Sequence, residues 1–178
     1  MKKLRKKAEP LHNDLREITE SLKETIKGFK EARDLLNGVN KSHGMMSENY
    51  FYRSLRKSMT FGGVHYDEIK PKLHSIRKLP DKTRIEGEYD IVLFNDVSVC
   101  IIESKYRVRP EDVEKLVNKQ VVNFKILFPD YADYKYYLGI AGWGFEGNSE
   151  AIARAHGVGV LTLNGDAVEI SDADLKVY

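Results

Sequence analysis

The chain has 178 residues, 42% of them hydrophobic, a size and composition that suit one domain or one domain with an extension. No apolar stretch reaches the roughly 20 residues of a membrane span, and the single cysteine, Cys100, excludes an intrachain disulfide and a cysteine-rich zinc site. The 29 basic and 27 acidic residues nearly cancel, so binding partners must be inferred from where the charges lie in the sequence. The single cysteine and the lack of a membrane span lead us to expect a cytoplasmic protein with no membrane contact.

A long helix is predicted near the N-terminus, behind a basic tail at residues 2–7. From residue 11 to residue 36, apolar or small residues recur at the alternating spacing of a coiled coil. The positions are Leu11, Leu15, Ile18, Leu22, Thr25, Phe29, Ala32 and Leu36. Two structures fit this stripe: a self-associating coiled coil, or a helix folded back onto the rest of the chain. The narrow stripe favours the first, which predicts a homodimer through residues 11–36.

Residues 37–44 are rich in asparagine and glycine, a composition typical of a linker. This linker is expected to separate the basic tail and coiled-coil helix, residues 1–40, from an α/β domain, residues 45–178. A shorter helix is then predicted from Ser47 to Lys57, with Ser47 as its N-cap. The Phe61-Gly62-Gly63 sequence that follows is expected to interrupt this helix.

The rest of the chain alternates between strand-like and helix-like segments, a pattern that predicts an α/β fold with a mixed sheet. A tight turn at Asn95-Asp96 joins the second and third strands, which should form an antiparallel hairpin. Strands are expected at residues 64–76, 88–94, 97–105, 135–141, 158–163 and 167–170, and helices at residues 110–128 and 148–156.

The hairpin places three charged residues close together. Asp90 lies toward the outer end of its first strand, and Glu103 and Lys105 lie at the outer end of the second. Folding the hairpin about its turn brings these ends together, because residues two apart in a strand share one face. The simpler interpretation is a structural salt bridge between Glu103 and Lys105. The matched position of Asp90 instead favours a functional site, since carboxylates seldom point inward without a partner.

Two buried carboxylates beside an ammonium group have a chemical meaning. Hard divalent cations bind carboxylates, backbone carbonyls and water. Such a cation lowers the pKa of bound water and neutralises charge on a phosphoryl oxygen. A neighbouring lysine can orient the water or stabilise the charge of the transition state.

The residues around these charges resemble a known family. The segments EYDIVL at 88–93 and VCIIESK at 99–105 resemble the core motif of the PD-(D/E)XK nuclease superfamily. The resemblance covers roughly residues 45–165, with its residue-level match confined to the two strands. It implies an α/β protein with the restriction-endonuclease-like α-β-β-β-α-β core, a mixed central sheet flanked by helices, preceded here by the long N-terminal helix.

The resemblance also implies roles for individual residues. Asp90 and Glu103 would bind Mg²⁺, for which Mn²⁺ can substitute, and Lys105 would assist the attack of water. The Ser104 carbonyl is expected to complete the protein's share of the metal ligands, because magnesium keeps several waters and needs few carboxylates.

Two further site residues follow from the same family pattern. Glu48 matches a glutamate on the helix before the sheet, although a solvated acid at a helix start fits equally well. Gln120 lies on the apolar stripe of the helix over 110–128 and matches a family glutamine near the metal, although it could also lie at the helix edge. With them, the expected catalytic set is Asp90, Glu103, Lys105, Glu48 and Gln120.

The expected function is therefore that of a magnesium-dependent deoxyribonuclease, acting as an endonuclease or an exonuclease on DNA. The alternative is a nuclease-like domain that no longer cuts and serves as a coiled-coil dimerising module for binding nucleic acid or protein. Phosphate contacts are expected from basic residues that flank the site, because counterion release at phosphates drives nucleic-acid binding. These residues are Lys70, Lys72, Arg77, Lys78, Arg107 and Arg109.

Overall fold

A computed structural model describes the backbone of residues 2–164 and 167–178, and the side chains of residues 15–36, 38–39, 42–164 and 167–178. The chain divides into two compact units, Met1–Ser42 and His43–Tyr178. In the described part of the chain, no helix is long and apolar enough to cross a membrane.

Helix α1 spans Lys2–Ser58 and continues without a break through residues 37–44. The prediction of a linker there was wrong. Glycine costs a helix only about 1 kcal/mol relative to alanine, and the segment lacks a proline, whose ring would clash with the preceding turn. The prediction that Ser47 caps a new helix was wrong for the same reason, since Ser47 lies inside α1 and is buried.

The first unit exposes the apolar stripe of α1 along the described side chains. Leu15, Ile18, Leu22 and Phe29 are between 56% and 74% exposed in the single chain. Ion pairs between residues four apart, such as Lys27 with Glu31 at 3.8 Å, lie among the polar residues of the same helix. Leu11, the first position of the predicted stripe, lies outside the described side chains. The helix is therefore amphipathic and carries an uncovered apolar stripe.

The second unit contains a six-stranded mixed sheet. Its strand order follows the chain, β3-β4-β5-β6-β7-β8, with β5, β6 and β7 parallel and the outer strands antiparallel. A small separate hairpin, β1-β2, follows α1. The strands are β1 Thr60–Phe61, β2 Val64–His65, β3 Glu68–Lys78, β4 Arg84–Phe94, β5 Ser98–Val108, β6 Lys135–Phe145, β7 Gly159–Asn164 and β8 Ala167–Ser171.

Several elements match the expectations from the sequence. Gly62 and Gly63 form the tight turn of the β1-β2 hairpin with positive φ angles, which glycine adopts without steric cost. The β4-β5 hairpin is antiparallel, with Leu93 opposite Cys100. Strand β4 begins at Arg84, earlier than predicted, because Gly87 and the glutamates beside it have low strand propensity. The connection between the strands predicted at residues 158–163 and 167–170 includes residues 165 and 166, which lie outside the described residues.

Helices cover both faces of the sheet. On one face, α2 Pro110–Lys115, a π-helical turn Leu116–Gln120, α3 Val121–Leu127 and α4 Ser149–Ala155 pack on the sheet, and a short 3₁₀ turn, Pro129–Tyr131, follows α3. On the other face, Phe51 and Leu55 of α1 pack against Phe61, Tyr66 and residues of β4 and β5. The predicted α/β class with a mixed sheet and an N-terminal helix is confirmed.

Candidate active site

The pairing of strands β3 and β4 is interrupted at one position. Their antiparallel pairing is regular at Pro71 with Ile91 and again at Leu73 with Tyr89, leaving Lys72 and Asp90 between the two pairs. The φ angle of Lys72 is 51°, in the left-handed region that residues other than glycine seldom adopt. Such strain persists only where the surrounding structure imposes it, and it is concentrated at functional sites.

Asp90 links β4 to β5 just beyond the end of their regular pairing, which stops at Ile91 opposite Ile102. Its Oδ2 accepts a hydrogen bond of 2.8 Å from the backbone N–H of Ser104. Burial raises the pKa of Asp90, the charge of Glu103 raises it further, and Lys105 and the Ser104 N–H lower it. The net pKa is about 7, well above the ordinary value of 3.8. Asp90 is thus a carboxyl group whose burial, together with the charge of Glu103, raises its pKa and keeps it from ionising easily.

Glu103 is the most enclosed acid of this group, with a side chain only 6% exposed. Its Oε1 forms an ion pair with Lys105 Nζ, and its Oε2 accepts a hydrogen bond of 2.8 Å from Gln120 Nε2. Burial lowers the pKa of Lys105, but the charge and hydrogen bond of Glu103 outweigh burial and raise it. Lys105 therefore stays protonated beside the two carboxyl groups.

The helix over the site carries Gln120 at the end of the π-helical turn Leu116–Gln120. The predicted helix over residues 110–128 is confirmed, but it contains a π-helical turn. The extra residue of this turn rotates the side chains that follow it around the helix axis, relative to those of an uninterrupted α-helix. Gln120 is buried, and its own carbonyl accepts a hydrogen bond of 3.2 Å from the Tyr89 hydroxyl. Among the described residues, its Oε1 has no hydrogen-bond partner although it is buried. An unpaired buried acceptor of this kind leaves a place for a donor from outside the chain.

Helix α1 contributes Glu48 to the group of charged residues around Asp90. Glu48 Oε2 forms an ion pair of 2.9 Å with Lys72 Nζ, and this contact with the carboxylate raises the pKa of Lys72. The charges of Glu48 and Asp90 also act on each other, since Glu48 raises the pKa of Asp90. Lys72, expected from the sequence to contact phosphate, therefore lies within the cluster of acids.

Ser47 fixes α1 to the strand that carries Glu103 and Lys105. Its hydroxyl lies 3.0 Å from the Ser104 hydroxyl and donates a hydrogen bond of 3.2 Å to the Lys105 carbonyl. No local pattern in the sequence indicates this role, because it depends on a contact between residues 57 positions apart. Lys72 could have been placed near Asp90 by counting residues back from the turn that joins β3 to β4.

The donor set suits a hard divalent cation. Asp90 and Glu103 lie close enough for one charge to affect the other, and such a pair of buried carboxylates gains from a shared cation. Within the described residues, no three or more His, Cys, Asp and Glu side chains are arranged to hold a metal ion. Any such cation would thus rely on two carboxylates, backbone oxygen and water, which is the ligand pattern that magnesium accepts.

The other predicted phosphate-binding residues are spread around the sheet. Lys70 pairs with Glu68 at 3.2 Å, and Arg77 Nη1 donates a hydrogen bond of 2.7 Å to the Ile126 carbonyl. Lys78 is exposed at the far end of β3. Arg107 and Arg109 follow Lys105 along β5 and approach Glu146 at 3.9 and 3.3 Å. Arg107 and Arg109 are thus close in sequence to the cluster, and Arg77 and Lys78 are several residues from its nearest member, Lys72.

No protein-family model matches the sequence, and comparisons with curated proteins and with solved structures find no match.

Proposed function

We propose that the chain is a metal-dependent nuclease of the PD-(D/E)XK type that hydrolyses phosphodiester bonds in DNA. The observation that carries the proposal is the convergence of Asp90, Glu103 and Lys105 where the regular pairing of β4 with β5 ends, within both strands, with the carboxylate of Glu103 between Lys105 and Gln120. A purely structural ion pair needs neither a second buried carboxyl group nor a strained strand beside it.

The order of elements is consistent with the proposed fold type. Helix α1, strands β3, β4 and β5, helices α2 and α3, and strand β6 follow one another as α-β-β-β-α-β. Strands β3 to β5 are antiparallel and β6 is parallel to β5. This order supports a restriction-endonuclease-like core.

Asp90 and Glu103, with the Ser104 carbonyl, are proposed to hold Mg²⁺ or Mn²⁺. When bound, the cation lowers the pKa of water and neutralises charge on the phosphoryl group. The chain's own groups prepare the site: Gln120 fixes the orientation of the Glu103 carboxylate, and the Ser104 N–H fixes that of Asp90. Groups held in this way bind a cation without first paying the entropy of ordering.

Lys105 is proposed to act on the attacking water or on the charge that develops in the transition state. Its ammonium stays protonated beside Glu103, so it serves as a donor and a positive charge. Glu48 is proposed to take part as a third acid, on the opposite side of Asp90 from Gln120. The ion pair of Glu48 with Lys72 would hold the Glu48 side chain in place near Asp90.

The function is tested by incubating the purified protein with plasmid, single-stranded and branched DNA in magnesium, manganese or chelator. We expect cleavage with either metal and none with chelator. Asp90→Asn should not cut, and Asp96→Asn, the same change at an exposed residue of the hairpin turn, should cut as the wild type does. No cleavage of any substrate in either metal would contradict the proposal.

One observation favours a second candidate, a nuclease-like domain that binds nucleic acid or protein without cutting. Both oxygens of Glu103 already have partners in the chain, Lys105 and Gln120, so the pair can serve stability alone. Binding of DNA with no cleavage under the same conditions would favour this candidate.

The exposed stripe of α1 supports a homodimer through residues 11–36. Burying each large apolar side chain contributes roughly 1.5–3 kcal/mol, and a single helix of this length is marginal by itself in water. For DNA binding, Lys70, Lys72, Arg77, Lys78, Arg107 and Arg109 are proposed to contact phosphates around the site. Each phosphate that they neutralise should add about 0.9 to the slope of log affinity against log salt concentration.

A further inference from the structure

An aromatic pair lies beside the candidate active site. Tyr106 and Trp143 stand on the neighbouring parallel strands β5 and β6, between the pairs Lys105 with Gly142 and Arg107 with Gly144. Their ring centroids are 5.7 Å apart with planes at 38°. Tyr106 is 38% exposed and Trp143 is 39% exposed. Two large rings thus share one partly open surface, and Tyr106 follows Lys105 in the chain with its side chain on the opposite face of the sheet, toward α1.

Helix α1 supports this pair from behind. His43 stacks on Tyr106 at 4.5 Å with planes at 26°, and Tyr50 meets the edge of Trp143 at 6.2 Å. Rings held by stacked and edge contacts keep their orientation and lose little further freedom when a ligand binds. We call the pair Tyr106 and Trp143 the platform. Its rings are held in a fixed orientation, whereas two separate exposed side chains would be free to rotate.

A cleft opens at the platform. It has a volume of about 250 Å³ and is lined by Tyr106, Arg107, Trp143, Gly144, Phe145 and Glu146. A side chain at position 144 would meet only the Arg107 Cγ, at 4.0 Å, so the absence of a side chain at Gly144 keeps the cleft open. The cleft is smaller than the roughly 300–1,000 Å³ of drug-sized sites, and it suits one flat group.

The charge at the cleft indicates which flat group fits. Arg107 borders it and is paired only loosely with Glu146, at 3.9 Å. An aromatic surface next to an arginine is the combination that binds single-stranded nucleic acid, because bases stack on rings and arginine attracts phosphate. In a duplex both faces of each base are covered by its neighbours, so only an unpaired base can lie on the platform.

We infer that the cleft lined by Tyr106 and Trp143 binds an unpaired nucleobase of a single strand whose phosphates lie toward Arg107. This inference rests on the proposed function and deepens it, since it specifies single-stranded or locally opened nucleic acid as the substrate. The proposed occupant of the cleft is a base of the substrate strand. The competing result of the test is that a side chain from a second copy of this chain occupies the cleft instead.

The test uses Trp143, the chain's one tryptophan, as its probe. A single-stranded oligodeoxynucleotide is titrated into the full-length protein in chelator, so that cleavage does not change the ligand. We expect quenching of tryptophan emission by this strand, and little or none by a strand of the same length made of abasic residues or by a blunt duplex. Equal quenching by the abasic strand would overturn the inference, because only phosphates would then be bound. A change in emission that follows protein concentration without DNA would also overturn it and indicate a second copy.

Variants separate the platform from the fold. Tyr106→Leu should weaken binding of the single strand by about 5- to 100-fold, the loss expected for one stacking contact. Tyr106→Phe keeps the ring and should retain the affinity. Gly144→Leu fills the cleft without removing either ring and should weaken binding to a similar extent. Single-strand affinities of Tyr106→Leu and Gly144→Leu that equal that of the wild type would contradict the inference.

Failure of this inference is distinguishable from failure of the proposed function. Quenching by the single strand without cleavage in magnesium or manganese would keep the base site and reject the nuclease. Cleavage without quenching, with single strands cut by Tyr106→Leu at the wild-type rate, would keep the nuclease and reject the base site.

Discussion

Gln120 Nε2 lies 2.8 Å from Glu103 Oε2 and holds the carboxylate from the helix side, opposite the ion pair with Lys105. This contact joins two consecutive elements, β5 and the helical segment that follows it, across 17 residues. A buried carboxylate held at both oxygens has a fixed direction, and its direction determines what it can bind.

Replacing Gln120 with leucine should disturb the site without removing a charge. Glu103 would lose its partner at Oε2, and we expect a 10- to 100-fold weaker affinity for manganese, about the usual effect of removing a residue that orients a ligand. Calorimetric titration with manganese measures the affinity. Asn118→Leu, the same loss of an amide at an exposed position of the π-helical turn, is the control and should bind as the wild type does.

Replacing either proposed ligand should affect metal binding and cleavage together. Asp90→Asn and Glu103→Gln keep the size of each side chain and remove its charge, so both should lose manganese binding and strand cleavage. Calorimetry and a cleavage assay on the same preparations test this. Loss of cleavage with unchanged manganese affinity in both variants would show that these residues are not ligands.

The stability of the chelated protein should fall as the pH rises through the range in which Asp90 titrates. The pKa of Asp90 is about 7 in the folded protein and ordinarily 3.8, so the folded state binds more protons than the unfolded state between those values. Stability from this group is therefore present at low pH and lost as the pH rises toward 7. The loss is on the order of 2–4 kcal/mol.

Asp90→Asn provides the comparison for that prediction. The asparagine does not titrate, so the difference in stability between the variant and the wild type should grow in favour of the variant from pH 5 to pH 8. Urea denaturation in chelator at both pH values measures it. An identical change with pH in the two proteins would show that Asp90 does not titrate in this range.

Lys72 should resist replacement by a β-branched residue. Its φ of 51° is costly for any side chain and most costly for a branched one. Lys72→Val should lower the free energy of unfolding by about 1–3 kcal/mol. Lys78→Val, on the same strand and exposed, should be nearly neutral, and urea denaturation compares them. Equal stabilities of the two variants would contradict the strained conformation.

Introducing charge into the exposed stripe of α1 should dissociate the proposed dimer. The pair of changes Ile18→Glu and Leu22→Glu places carboxylates at the apolar seam, where they cannot be buried without a partner. Light scattering should then give the mass of a monomer. Lys27→Glu, on the opposite side of the heptad, should leave the dimer intact. A wild type that is already monomeric would reject the coiled coil.

Local sequence patterns predicted the parts of the fold that local interactions determine. The antiparallel β4-β5 hairpin and the helix that carries Gln120 followed from alternating apolar residues and from a proline with acids at a helix start. The continuity of α1 did not follow, because asparagine and glycine weaken a helix by small amounts that the rest of a long helix outweighs.

The same division holds for the candidate site. Asp90 and Glu103 were placed together because a hairpin fixes which positions of its two strands lie opposite each other. The position of Ser47 was not predicted, because it depends on a contact with a strand 57 residues away. Lys72 was expected only as a phosphate contact, although the register of the β3-β4 hairpin places it beside Asp90. The π-helical turn at Gln120 has no pattern in the sequence that distinguishes it from an ordinary helix.

The central claim, that the acids and Lys105 form a catalytic site, is tested most directly by the single-turnover cleavage rate of Lys105→Met in manganese. Methionine keeps much of the side-chain length and removes the charge, so manganese should still bind, while the rate should fall about 100- to 1,000-fold, the usual cost of losing one such group. Lys119→Met, the same change at an exposed position, should cut at the wild-type rate. If Lys105→Met also cuts at the wild-type rate, Glu103 and Lys105 form only a salt bridge and the nuclease proposal loses its main support.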